Sequence, residues 1–180
     1  HIQWIISDAE DVPSYLSGKY DLIISNATIQ WLSNPQETIP SWVEALQPNG
    51  LLLSSTFGID TFQELTALFH KLEKQRGLQP DQHHLPMHGS SFWKQLWEQS
   101  GLTAVAIQEN WKKVAYPDCR CFLEEIKATG ANYSTSQSSS LANHHLLKNV
   151  MEEYDQLYQE GNHVYATYHV IQLYGLRHCS

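Results

Sequence analysis

An apolar run that stops abruptly at polar residues constrains this chain more than any other feature. The residues Leu22 to Ile24 follow one another without polar alternation, which is typical of a central parallel strand covered on both faces. The polar segment Ser25 to Ala27 ends the run. In an open α/β sheet, ligands bind beyond the carboxyl ends of such strands. The stretch therefore predicts a binding site just after the strand. The alternative is an ordinary strand followed by a turn that caps the next helix.

The residues that follow predict a helix and a second strand. Pro35 stands in the first turn of a segment whose apolar residues recur at helical spacing, and Pro48-Asn49-Gly50 ends that segment. Leu51 to Phe57 is then a second apolar run. Strand, helix and strand in this order form a right-handed crossover with two parallel strands. Thr56-Phe57-Gly58 is therefore expected beside Asn26.

The rest of the chain predicts an alternation of further helices and strands. The predicted helices are Thr61 to Gln75 with Thr61 as N-cap, Ser90 to Gln99, Pro117 to Gly130 and Leu141 to Gln159. The predicted strands are Ile2 to Ser7, Leu102 to Gln108 and His163 to Leu176. Gln79 to Gly89 is expected to be a loop, and the low-complexity run Ser134 to Ser140 a linker.

Composition limits the class of protein. A chain of 180 residues that is 42% hydrophobic fits one globular domain. A net charge of −8, with only eleven Lys and Arg, argues against nucleic acid as a partner. The odd number of cysteines, three, favours a reducing compartment, so we expect a cytoplasmic protein. No apolar run approaches the roughly 20 residues of a membrane span, and the N-terminus lacks the pattern of a signal peptide.

Several motifs together resemble a known family. Asp8-Ala9-Glu10, Tyr20-Asp21-Leu22-Ile23, Ser25-Asn26-Ala27 and Gln30-Trp31-Leu32 resemble the second half of the S-adenosylmethionine site of class I methyltransferases. The Ser-Asn-Ala-x-x-Gln-Trp form, Thr56-Phe57-Gly58 and Tyr165-Ala-Thr-Tyr168-His169 are similar to a narrower group. That group methylates the free carboxyl of malonyl-acyl carrier protein in biotin synthesis, and trans-aconitate methyltransferase is its close relative.

The resemblance covers nearly the whole chain but departs from the family at one end. The family binds its cofactor with a glycine-rich loop after the first strand and an acidic residue after the second, and neither precedes Asp8 here. The resemblance thus implies an N-terminally incomplete, Rossmann-like α/β sheet that starts at the family's third strand and lacks roughly the first third of its length. It implies that residues 1–180 are the C-terminal part of a single methyltransferase domain. A helical cap would be inserted at about residues 112–160, and the last strand would be antiparallel.

The resemblance also implies a cofactor, S-adenosyl-L-methionine, and the residues around it. Asp8 and the backbone after it would bind the adenine amino group, and the expected cofactor contacts are Asp8, Ala9, Glu10, Ser25, Asn26, Ala27 and Trp31. The expected substrate contacts are Gln30, Phe57, Tyr168 and His169, with a structural histidine as the alternative for His169. No catalytic residue is expected, because a carboxyl of pKa about 4 is already ionised at neutral pH and needs no general base.

The expected partner is an acidic acyl carrier protein. Positive charge on a chain of net charge −8 would then have to be gathered locally. Lys112, Lys113, Arg120 and Lys127 lie close together in sequence, and we expect them to receive the carrier. A solvated surface is the alternative. The sequence does not predict an oligomeric state.

Three other functions compete with this interpretation. A metal site is disfavoured, because the doubled loop histidines and the one-residue spacing of Cys119 and Cys121 do not match the usual ligand spacings. The histidines concerned are His83, His84, His88, His144, His145, His163, His169 and His178. A related carboxyl methyltransferase of the trans-aconitate type and a truncated, non-catalytic binding domain remain alternatives, the second because the glycine loop is absent.

Overall fold

The computed structural model describes residues 2, 4–79, 87–129 and 141–178, and only the backbone of residues 141–144. The helices in this part of the chain are α1 Pro35–Ala45, α2 Gln63–Gln75, α3 Ser90–Gln99, α4 Cys119–Ala128 and α5 Leu141–Leu157. The strands are β1 Tyr20–Asn26, β2 Leu46–Phe57, β3 Leu102–Tyr116, β4 Gln159–Glu160 and β5 His163–Arg177. Short 3-10 turns occur at Ser14–Leu16 and Ile29–Trp31.

The fold is α/β, and its strands form a mixed parallel and antiparallel sheet in the order β1-β2-β5-β3, with β4 paired to β5. β1 and β2 are parallel and joined through α1, and β5 is antiparallel to β2. The predicted crossover and the predicted antiparallel last strand are therefore confirmed. Asn26 is the register partner of Ser55, which brings the carboxyl ends of β1 and β2 to the same edge of the sheet.

The residues divide into two compact units. Unit 1 comprises His1–Gly58, His88–Asn110 and Val170–Ser180, and unit 2 comprises Ile59–Met87 and Trp111–His169. The residues of β3 and β5 are divided between the two units.

The core of unit 1 lies on one face of its strands. α1 and α3 supply Trp42, Trp93 and Trp97, which pack with Leu52 of β2 and Leu173 of β5. Alternate residues of β2 are buried, as expected when one face is covered.

The structure corrects two predictions about the strands of unit 1. β1 was predicted to be covered on both faces, but Leu22 and Ile24 are 45% and 66% exposed, because α1 and α3 share a single cluster on the other face. The described residues between Ile2 and Ser7 form no strand. Within the described part of the chain, β1 pairs only with β2, so no second strand is hydrogen-bonded to its other edge.

Unit 2 has its own helical core. α2 contacts α5, and α4 also packs on α5. Phe69 of α2, Phe122 of α4 and Tyr154 of α5 are buried in one cluster with Val164 and Ala166 of β5. The two helices predicted for the cap, around residues 117–130 and 141–159, are confirmed as α4 and α5 with slightly shorter bounds.

The predicted N-cap of α2 is wrong. Thr61 does not cap the helix, because its hydroxyl is buried against the backbone of His169, and Phe62 occupies the cap position with a left-handed backbone, φ 60°. Glu64, expected to complete a capping box, instead accepts hydrogen bonds from the backbone and hydroxyl of Thr167. Both polar side chains thus tie α2 to β5.

Some predictions fall outside the described residues. These are the linker Ser134 to Ser140, most of the loop Gln79 to Gly89, and the side chains of His83, His84 and His144. Among the described helices, none combines the length and the apolar character needed to cross a bilayer.

Candidate functional site

The turn after β1 is held by hydrogen bonds to β2. Ser55 donates its hydroxyl to Oδ1 of Asn26, and the Ala27 N–H donates to the Ser55 carbonyl at 2.9 Å. Ala27 has a left-handed backbone, φ 50°, which is uncommon for a residue with a Cβ and marks a constrained turn. Because Oδ1 of Asn26 is engaged by Ser55, its amide N–H groups are the donors left for a ligand at this strand end.

Gln30 locks the same turn from the other side. Its amide N–H donates to the Ala27 carbonyl at 2.8 Å, and its Oε1 accepts the hydroxyl of Thr56 at 2.9 Å. The side chain is only 9% exposed. Both ends of the amide are therefore used within the protein. Gln30 is predicted to contact substrate, and these bonds fix the orientation of its amide at the strand end. Its neighbour Trp31 is 44% exposed.

Ser25 and Ser54 lie side by side on β1 and β2 as register partners. Both are buried, and neither hydroxyl finds a hydrogen-bond partner among the described residues. A buried hydroxyl without a partner costs about 1 to 3 kcal/mol. The two hydroxyls thus form a buried polar site near the strand ends, which can hydrogen-bond to a water or a ligand atom.

Asp8 and Ala9 line a pocket of about 370 Å³. Its other walls are largely apolar, including Ile5, Val12 and Leu22. Oδ1 of Asp8 accepts the Glu10 N–H at 3.0 Å, so Oδ2 remains as an acceptor. A largely apolar slot that is also lined by the carboxylates of Asp8 and Asp11 suits an aromatic ring that carries an amino group. The residues Ser25, Asn26 and Ala27 do not line this pocket.

Glu10 is predicted to contact the cofactor, and in the structure its carboxylate binds the loop before α1. Its two carboxylate oxygens accept the backbone N–H groups of Ser33 and Asn34 at 2.7 and 3.1 Å. These bonds lower the pKa of Glu10 below its ordinary value. The carboxylate therefore anchors the loop that leads into α1, while Trp42 of α1 donates its indole N–H to the Ala9 carbonyl at 2.8 Å.

His169 sits in a cluster within unit 2. Its ring is 2% exposed and stacks on Trp111, with ring centroids 4.4 Å apart. Nδ1 lies 3.5 Å from both the backbone N–H and Oδ2 of Asp60, and the indole N–H of Trp111 donates to Oδ2 at 3.0 Å. These contacts favour the structural alternative for His169.

Tyr168 belongs to a hydrogen-bonded chain of side chains in unit 2. Its hydroxyl lies 2.6 Å from that of Tyr116, which also bonds to Glu125 at 3.3 Å. The Tyr168 ring packs edge-on against Phe62. Burial raises the pKa of both phenols. Tyr168 is therefore a neutral hydroxyl of fixed orientation at neutral pH.

The structure brings together only part of the predicted set. Asn26, Ala27 and Gln30 form one bonded turn with β2, and Phe57 ends that strand as the partner of Val170. Asp8 and Ala9 share a separate pocket, and Tyr168 and His169 belong to unit 2.

Sequence reasoning missed Asp60, Trp111 and Tyr116. A signal existed for Asp60 alone, since it follows the strand end Thr56-Phe57-Gly58 by two residues.

The two described cysteines are free thiols with raised pKa values. Cys119 is buried, and burial raises the pKa of its thiol to about 12. The pKa of Cys121 is also raised, chiefly by a hydrogen bond to Asp118. No cluster of three or more metal-ligating side chains occurs among the residues that the structure covers.

A family model for the methyltransferase domain matches residues 2–107. This is more than half of the chain. The chain belongs to the methyltransferase domain family.

The chain is similar to several curated proteins named malonyl-acyl-carrier protein O-methyltransferase. It is 35% identical to that of Brevibacillus brevis over 84% of this chain, 31% to that of a Paenibacillus species over 88%, and 37% to that of Halalkalibacterium halodurans over 93%. It spans 54%, 58% and 62% of their respective lengths.

Solved structures support the fold of the chain. The YcgJ protein of Bacillus subtilis has a TM-score of 0.58 at 16% identity, over 97% of this chain and 70% of that one. A candidate methyltransferase from Bacillus halodurans has a TM-score of 0.59 at 13% identity, over 96% of this chain and 70% of that one. At these identities the likeness concerns the fold.

Proposed function

We propose that this chain is the C-terminal part of an enzyme that transfers a methyl group from S-adenosyl-L-methionine to the free carboxylate of malonyl-acyl carrier protein. The observation that carries this proposal is the set of relatives named for that reaction, which align with 84% to 93% of this chain. A helical cap at about residues 112–160 is part of the proposal. The product would be a methyl ester, as expected for an early step of biotin synthesis.

The residues of unit 1 suit the cofactor at two places. Oδ2 of Asp8, at the edge of its apolar pocket, would accept the adenine amino group. The amide N–H groups of Asn26 and the unpartnered hydroxyl of Ser25 mark the second place, at the end of β1. Ala27 and Trp31 are proposed as further contacts there. Glu10 would support this arrangement indirectly, through the loop that it anchors.

The reaction depends on the placement of the reacting atoms more than on acid–base chemistry. When bound, the sulfonium cofactor would supply an electrophilic methyl group for transfer to a carboxylate oxygen of the substrate. The carboxylate is ionised at neutral pH, so no side chain removes a proton. The rate enhancement comes from holding the carboxylate oxygen and the methyl carbon about 3 Å apart in a site closed to water.

Each unit contributes proposed substrate contacts of its own. In unit 1, Gln30 and Thr56 hold the turn after β1, and Phe57 offers an apolar wall at the end of β2. In unit 2, Tyr168 offers a neutral hydroxyl fixed by Tyr116. His169 is buried between Asp60 and Trp111 and would act through the loop that it supports. The free thiols Cys119 and Cys121 fit a reducing compartment, and we place the protein in the cytoplasm.

A methyl-transfer assay tests the proposal, and it uses the intact enzyme because the 180-residue chain alone is expected to be inactive. The intact enzyme is incubated with labelled S-adenosyl-L-methionine and either malonyl-acyl carrier protein, malonyl-pantetheine or trans-aconitate, and methyl esters are counted. Turnover of the malonyl substrates above trans-aconitate is expected. Preference for trans-aconitate would reassign the substrate. A protein that binds no cofactor by calorimetry and gives no ester would be the non-catalytic domain.

A further inference from the structure

The indole of Trp111 presents a flat apolar face to solvent in unit 2. One face of its ring stacks on the ring of His169, with 4.4 Å between the centroids and 11° between the planes. The residue is nevertheless 54% exposed, so the opposite face of the indole is open. The indole N–H is already used, because it donates to Oδ2 of Asp60 at 3.0 Å. The open face therefore offers dispersion and π contacts to a ligand.

The groups behind Trp111 hold this face in one orientation. Asp60 fixes the edge of the indole, and His169, which is 2% exposed, fixes its inner face. His169 is itself held by Thr61, whose hydroxyl donates to the His169 carbonyl at 3.2 Å and accepts the His169 N–H at 3.1 Å. A rigid aromatic side chain loses little conformational freedom when a ligand packs on it. The arrangement thus makes Trp111 a prepared contact surface.

The chain connects these residues directly to the end of β2. Asp60 comes three residues after Phe57, which ends that strand, and His169 directly precedes Val170, the register partner of Phe57. Ligands of open α/β sheets bind beyond the carboxyl ends of parallel strands. Trp111 is therefore tied, through its two bonded neighbours, to the segments from which substrate contacts are expected.

The chemistry of the ring indicates which part of the proposed substrate it suits. The face of an indole carries the negative side of the ring quadrupole, and the Asp60 carboxylate lies at the edge of the same ring. Both repel the anionic carboxylate that receives the methyl group. The pantetheine arm attached to the malonyl thioester is uncharged, and its methylenes and planar amides can pack on an aromatic face.

We propose that Trp111 is a substrate contact that packs on the uncharged pantetheine arm of the malonyl thioester, an inference that rests on the proposed function. Asp60 and His169 are then positioning residues, since they act on substrate through the indole. This assignment gives a reason for the burial of His169, which was expected to contact substrate. The contact with substrate passes to the exposed ring that His169 supports.

Kinetics of the intact enzyme on two substrates test this assignment. Trp111→Ala and Trp111→Phe are compared on malonyl-pantetheine and on malonyl methyl thioester, which has the same reacting carboxylate but no arm. We expect Trp111→Ala to raise KM for malonyl-pantetheine about tenfold, as for the loss of one aromatic contact, with kcat little changed. KM for the short thioester should stay as in the parent. Trp111→Phe keeps an aromatic face and should recover most of the affinity.

The matched control is Trp4→Ala, which removes an indole of unit 1 that is 88% exposed and should leave both KM values unchanged. An equal rise in KM for both substrates in Trp111→Ala would show that the ring serves the reacting end. An unchanged KM would remove Trp111 from the substrate site. Equal losses in Trp111→Ala and Trp111→Phe would mean that the bond to Asp60 matters and the face does not.

A fluorescence titration with pantetheine itself separates this inference from the proposed function. If the parent methylates neither thioester, the proposed function fails, and the titration still tests the ring; it also decides if Trp111→Ala does not fold. Quenching in the parent that Trp111→Phe abolishes and Trp4→Phe retains would support the contact. Equal quenching in both variants, or none in the parent, would overturn it.

Discussion

Asn26 carries the most direct prediction at the scale of single residues. In the intact enzyme, Asn26→Leu should remove most methyl transfer while the protein stays folded, because an apolar side chain offers no donor to the cofactor at the end of β1. The measurement is cofactor affinity by calorimetry together with turnover and circular dichroism. Ser55→Ala is the matched control, since it deletes only the hydroxyl that binds Oδ1 of Asn26. Unchanged turnover in Asn26→Leu would remove Asn26 from the site.

Glu10 carries a prediction about pH. Backbone N–H groups of Ser33 and Asn34 hold its pKa below the ordinary value of 4.5. A group whose folded pKa is depressed contributes stability above its unfolded pKa, and loses it as pH falls through the folded pKa. Glu10→Gln should therefore lower the free energy of unfolding at pH 7, and the difference from the parent should shrink below about pH 4.5. Urea titrations at several pH values measure this, and a pH-independent difference would contradict it.

The candidate site was only partly predictable from residue types. The polar strand end Ser25 to Ala27 was visible because an apolar run stops there. The hydrogen bonds of Gln30 and Glu10 were not predictable, because each side chain binds groups that only the fold brings near. Gln30 binds Thr56 on β2, and Glu10 binds the loop before α1. A polar side chain beside a predicted site is thus as able to hold the turn as to touch the ligand.

At the scale of elements, α4 depends on a cap that the sequence analysis did not single out. Oδ1 of Asp118 accepts the Cys121 N–H at 2.7 Å, which satisfies a donor that the first helical turn leaves open. Asp118→Ala should cost about 1 kcal/mol of unfolding free energy, and Asp118→Asn, which keeps the acceptor, much less. Denaturant midpoints of the two variants and the parent give the comparison. Equal midpoints for Ala and Asn would show that the cap contributes nothing.

The predicted helices matched the structure better than the predicted strands did. The helices α1 to α5 follow from apolar periodicity, which is local and is confirmed within a few residues at each end. The failed strand at Ile2 to Ser7 and the failed cap at Thr61 share one cause. Each depends on a distant partner, a neighbouring strand in one case and β5 in the other.

At the scale of the whole molecule, exposed apolar surface is concentrated at one end of the chain. Ile2, Trp4 and Ile6 are exposed, as are Leu22 and Ile24 on β1, whose outer edge has no strand beside it among the described residues. We expect the 180-residue chain to bind a hydrophobic dye or to self-associate when purified alone. Size-exclusion chromatography and dye fluorescence test this. A monodisperse monomer with a sharp cooperative melt would contradict it.

The strand order also governs when the sheet can be completed during synthesis. β5 lies between β2 and β3 in the sheet, yet the ribosome makes it after every other strand. Until residues 163–177 have left the exit tunnel, β2 and β3 have no neighbour to bond on the sides that β5 will occupy. A nascent chain that stalls before this point carries two open edges that other chains can join. The sheet is therefore completed only once β5 has emerged, and the yield of folded protein in the cell depends on what shields β2 and β3 until then.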